Sequence, residues 1–143
     1  MSNWTGIDPA AWGDKAERIM TALLRNSVQA LANEASKTIP NGGRVPIKTG
    51  NLARSLVIDN KPPMQITGPA RQQDFALGVS KIMPGQTIYI GWTAKYSARI
   101  NFGFVGDDSL GRTYNQSGYG FAEAAAAQWP RILNEQAARL RNR

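Results

Sequence analysis

The sequence predicts an α+β fold, in which a long N-terminal helix and a C-terminal helix pack on a small antiparallel β-sheet of three to four strands. Three observations carry this prediction. Residues 8–37 repeat apolar side chains at helical spacing, residues 121–141 are alanine-rich with one apolar side, and two short stretches between them alternate apolar and polar residues. Two long loops, a basic one over 38–48 and a second over 104–119, lie within a single domain spanning 1–143.

Asp8 is placed to accept hydrogen bonds from the free amides that open the first helix, and Pro9 suits its first turn. Trp12, Ala16, Ile19, Leu23 and Leu31 fall on one face, flanked by Met20, Leu24 and Val28, and this stripe reads as core or subunit interface. Two prolines and Gly42-Gly43 then break the helix and leave a flexible basic loop. Thr49 suits a helix cap, and Leu52 and Leu56, four apart, share one face of a short helix. Val57 and Ile58 begin a strand. Phe75, Leu77 and Val79 alternate with smaller residues, as do Ile88, Ile90 and Trp92, so 74–81 and 87–93 are predicted to pair as a half-buried antiparallel hairpin turned at Pro84-Gly85. Residues 95–102 are predicted as a short helix ending at Gly103. Phe121, Ala125, Trp129, Ile132, Leu133 and Leu140 line the closing helix, which Pro130 kinks or restarts.

Composition narrows the chemistry. The 143 residues include neither Cys nor His, which removes disulfides, thiolate nucleophiles, imidazole bases and almost every structural zinc site. Asp107 and Asp108, the closest carboxylates in sequence, lie in a glycine-rich loop with nothing adjacent to drive their pKa values apart, as an acid–base pair needs. Gly42-Gly43 lacks the Gly-Lys-Ser/Thr ending of a phosphate-binding loop. The chain therefore reads as non-enzymatic, with no catalytic residue, no metal site and no cofactor. It has no apolar run of about 18 residues to span a membrane, and its start lacks the basic-then-apolar pattern of a signal peptide. A cytoplasmic setting is expected unless a particle carries the protein out.

A formal net charge of +7 points to an anionic partner or to simple solubility. Lys37, Arg44, Lys48 and Arg54 fall in residues 35–58, which contain no acid, and Arg131, Arg139, Arg141 and Arg143 stand against Glu135 near the end. Charge runs are most often solvated faces; proximity to DNA or to an acidic neighbouring subunit is the alternative.

Three segments, in order, resemble the neck and tail-completion proteins of long-tailed bacteriophages, the gene-product-ten-like head–tail joining or minor tail family. In the first, Pro46, Thr49, Gly50, Leu52, Arg54, Ser55 and Leu56 match a run of proline, Thr-Gly, leucine, a basic residue and serine before an aliphatic one. In the second, Tyr96, Ala98, Ile100, Phe102 and Gly103 follow a strand, with Asn101 where the family has an acid. The third begins at Gly118, and Phe121 leads into a helix, with Glu123 where the family pattern calls for a basic residue. The resemblance implies a small α+β subunit of a sixfold ring between the head-closure layer and the tail tube, through which genomic DNA passes without sequence readout. Its partners would be copies of itself and the adjacent head-closure and tail-terminator or tail-tube proteins, with no membrane. Its place would be the virion neck, after assembly in the host cytoplasm.

A tail-terminator ring is a related implication, and a sequence-independent nucleic-acid-binding protein is the competing one. Lys37, Arg44, Lys48 and Arg54 would face the DNA channel or an adjoining ring. The first segment also fits a plain loop-to-helix junction. Aromatics bounding a short segment, as Tyr96 and Phe102 do, usually pack in the core. A small sheet leaves free edges on which another subunit can pair.

Overall fold

The computed structural model describes residues 8–47, 50–107 and 110–141. Helix α1, Pro9–Ala35, opens the described chain as predicted, with Asp8 Oδ1 accepting from Ala10 N–H at 3.4 Å. Its stripe divides in two. Val28, Ala32 and Ala35 are buried, and Leu24 and Leu31 pack beside them, but Trp12 (61% exposed), Ile19 and Met20 face solvent. The first twelve residues thus extend beyond the core as roughly 18 Å of helix at 1.5 Å per residue.

The basic loop is closed rather than flexible. A short 3-10 turn, Ile39–Asn41, ends at Gly42 in the left-handed region, and Thr38 bridges Val45. Ile39 N–H donates to Val45 O at 2.9 Å, Gly43 N–H to Thr38 O at 2.9 Å, and Val45 N–H to Lys37 O at 3.2 Å. Gly43 lies so close to the Lys37 carbonyl that a Cβ there would overlap it, so the loop closes only around a residue without a side chain.

Helix α2, Asn51–Arg54, is a single turn with Leu52 buried. Leu56 is not on that helix; it opens strand β1, Leu56–Asp59, which pairs antiparallel with β2, Tyr89–Trp92, in the register Leu56↔Trp92 and Ile58↔Ile90. The predicted hairpin partner of β2 is instead a helix, α3, Phe75–Val79. Phe75 and Val79, four apart, satisfy a helical face as well as an alternating one, and both are buried against the α1 core, while Leu77 points to solvent. Asp74 decides between the two by capping the Ala76 and Leu77 amides at 3.1 and 3.4 Å. The turn at Met83 and Gln86 forms as read, with Gln86 N–H on Met83 O, but it follows a helix rather than a strand.

The free edge of β1 is occupied within the chain. Ile58 N–H donates to Gln73 Oε1 at 2.7 Å, and Gln73 Nε2 donates back to Ile58 O at 3.3 Å, so one side-chain amide stands where a neighbouring strand would.

Helix α4, Ser97–Phe102, ends at Gly103 with φ 88°, as expected. The span 104–119, read as a loop, contains a hairpin: β3, Gly103–Asp107, pairs with β4, Thr113–Ser117. Asp108 lies outside the described residues. Among the described residues the four strands form two separate ribbons, not one continuous sheet. Helices α5, Phe121–Ala127, and α6, Trp129–Arg141, replace a single closing helix, the break falling at Gln128 just before Pro130. Both pack on α1, giving the α+β arrangement of helices on small antiparallel ribbons.

Candidate functional site

The three motif segments fold onto one another. Val45 and Leu52 of the first, Ala94 of the second and Phe121 of the third are buried in one small cluster, with Trp92, Ile100 and Ala122 packed around it. Phe121 meets Trp92 edge to face, ring centroids 4.7 Å apart at 69°. Full burial of Val45, Leu52 and Phe121 stabilises by about 1.5–3 kcal/mol each. Trp92 also packs against the larger cluster around Val28, Leu56 and Phe75, and so joins the two.

Hydrogen bonds between the segments follow the same plan. The buried Ser55 hydroxyl donates to Leu52 O at 2.7 Å, closing α2, and Ser55 O accepts from both Thr93 N–H and Thr93 Oγ1 at 2.9 and 3.0 Å. That ties the first segment to the second. Tyr119 N–H donates to Ile100 O and Gly120 N–H to Asn101 O, each at 3.0 Å, tying the second to the third.

The two positions that depart from the family pattern meet. Asn101, 5% exposed, accepts from Ala122 N–H at 2.9 Å and donates through Nδ2 to Glu123 Oε1 at 3.0 Å. An amide and a carboxylate thus pair where the pattern places an acid and a base.

Gly50 has φ 79° and holds the position just before α2, with the Arg54 guanidinium lying over it. The cap position is Gly50, so the capping role read for Thr49 falls one residue off; Thr49 and Lys48 lie outside the described residues. Pro46 is half-buried beside Val45. Tyr96 and Phe102, expected in the core, are exposed, Phe102 to 73%. The physical reason is that the six-residue α4 turns Ile100 and Asn101 inward and leaves its bounding aromatics outside. Tyr96 is held by its hydroxyl, which accepts from Asn51 Nδ2 at 2.9 Å, while Asn51 Oδ1 accepts from Ala70 N–H at 2.6 Å.

Lys37 pairs with Glu34 at 2.9 Å, one turn back on α1, and Arg131 pairs with Glu135 at 2.9 Å. Arg44 is exposed at the rim of a small recess lined by Glu34, Gly43, Phe121 and Gln128. Arg54 is exposed on α2. Among the described residues no three carboxylates gather as a metal site. Thr113 Oγ1 donates to Asp107 Oδ1 at 2.7 Å across the β3–β4 hairpin.

Sequence reasoning missed the exposed apolar residues of the hairpin region, Val105 and Leu110, which stand at 78% and 75% exposure. The only signal for them was that apolar residues stood alone in a polar stretch. Comparison with protein-family models, curated proteins and solved structures finds no match to this chain.

Proposed function

We propose that this chain is a structural subunit of the head–tail connector of a long-tailed bacteriophage, forming a ring that joins the head-closure layer to the tail and lets genomic DNA pass. The observation that carries the reading is the convergence of the three resembling segments on one cluster, Val45, Leu52, Ala94 and Phe121, which makes them parts of a single structural device. That device fixes the base of the closed loop that presents Arg44 to solvent. In the ring, copies of the chain contact one another and the adjoining head-closure and tail-terminator or tail-tube proteins. Loop cations that face the channel meet only phosphates, so they neutralise passing DNA without reading its bases.

The test is genetic. A phage lacking this chain is expected to accumulate filled heads and free tails that do not join, seen by electron microscopy of the lysate, with joining restored when the chain is supplied in trans. Complete, infectious particles made without it would refute the proposal.

A further inference from the structure

Helices α1 and α6 lie side by side, and between them is a recess of about 280 Å³ lined chiefly by Asn26, Gln29 and Asn33 of α1 and by Gln136 and Arg139 of α6. Four carboxamides and one guanidinium thus face a single opening. Gln136 is only 9% exposed and stands four residues after Ile132, which is buried, so it shares the inward face of α6 at a place where an aliphatic side chain would extend the core. Among the described residues, none of these five side chains has a hydrogen bond or ion pair within the chain. Burying an amide without a partner is unfavourable, and this one lines the recess.

The lining holds one charged group, Arg139, and no carboxylate. The charged residues that border it are engaged elsewhere. Arg25 donates to Ile82 O at 2.9 Å and reaches Met83, Glu34 pairs with Lys37, and Glu135 pairs with Arg131. Arg141, two residues beyond Arg139, adds positive charge at the same end of α6. The recess therefore suits a ligand with a single negative group.

The amides narrow the ligand further. A carboxamide both donates and accepts, which matches the N–H and C=O of a peptide unit, whereas a phosphate only accepts. Affinity for a nucleic-acid backbone draws on several cations, and this lining offers one. Gln29 and Asn33 stand about 6 Å apart along α1 at 1.5 Å per residue. Peptide units that face one way along an extended chain recur about every 6.7 Å. We propose that this recess holds an extended segment of an adjoining protein, its main chain bonded by Asn26, Gln29, Asn33 and Gln136, and an Asp or Glu side chain of the segment paired with Arg139. The origin of that segment rests on the reading of the chain as a connector subunit; the recess itself is tested without it.

A display library of random octapeptides is selected on the immobilised full chain, and the enriched peptides are synthesised with capped ends. They are expected to share an acidic residue at one position and to shift the side-chain amide signals of Asn26, Gln29, Asn33 and Gln136 in the nuclear magnetic resonance spectrum. Arg139→Gln, at an exposed position, should weaken the acidic peptide by about tenfold with the thermal melt unchanged, and should leave binding of the same peptide with its acid changed to an amide as it was. Asn33→Ala should weaken both forms alike. An empty selection, peptides that shift signals elsewhere, or an Arg139→Gln chain that binds the acidic form as wild type does would overturn the proposal. A short DNA duplex that shifts the same four amides as strongly as the peptides would overturn it in favour of a phosphate site. None of these outcomes bears on the ring, which the phage lacking this chain tests separately.

Discussion

Asn101 and Glu123 are 22 positions apart, and their side chains form a single partly buried pair at 3.0 Å. Replacing the amide by a carboxylate, Asn101→Asp, would set a buried charge against the like charge of the exposed Glu123 and cost Asn101 its Nδ2 donor. A loss of about 1–3 kcal/mol is expected in chemical denaturation, in the range for a disrupted buried polar contact. Adding Glu123→Lys restores an acid–base pair and should recover much of that loss; a double-mutant cycle with no coupling would show the pair to be incidental. Nothing local in the sequence links these positions, which stood out only as two separate departures from a pattern. Gly103, by contrast, was legible, because a glycine after a short helical run is the usual way for a helix to end with positive φ.

At the scale of elements, the long helices were legible and the ribbons were not. Helix α1 and the α5–α6 break announce themselves through a repeated 3.6-residue period and a proline. The β3–β4 hairpin buries too little for an alternating pattern to develop; Val105 and Asn115 face each other with Val105 in water. The pairing of β1 with β2 spans more than thirty residues, so no turn signal marks it. Helix α3 misled because two turns of a strand and one turn of a helix both return to the same side after four residues. Gln73, whose amide fills the outer edge of β1, was invisible for the same reason of distance. Gln73→Ala should strip that edge and leave the Ile58 N–H and C=O unpaired. Light scattering is then expected to show aggregation beyond the wild-type chain's own assembly, and equal scattering from the two would show that the edge needs no guard.

At the scale of the whole molecule, two hydrophobic clusters meet at Trp92, and the basic loop is anchored to the smaller one through Val45. Among the described residues, Lys37 and Arg131 are each paired with a carboxylate, which leaves them less free to meet phosphate. DNA contact by an isolated subunit is therefore expected to be weak and strongly salt-dependent. A chain with Arg44→Ala and Lys48→Ala should still fold and assemble, but particles built from it should lose packaged DNA more readily, measured as nuclease-sensitive genome after purification. Undiminished DNA retention would place the loop away from the channel. The composition made the absence of cysteine and histidine chemistry plain from the start, whereas the surfaces became visible only once the helix was seen to run past the residues that cover it.

Trp12 stands in water at the far end of α1, while the indole nitrogen of Trp92 is sealed from solvent with no hydrogen-bond partner among the described residues. Of the chain's four tryptophans, these two therefore emit from unlike surroundings, Trp12 at longer wavelength and open to collisional quenchers, Trp92 at shorter wavelength and shielded from them. Anything that settles over the first turns of α1 moves the Trp12 emission toward the blue and leaves that of Trp92 in place. The chain thus carries its own optical gauge of contact at that helix, with no dye attached.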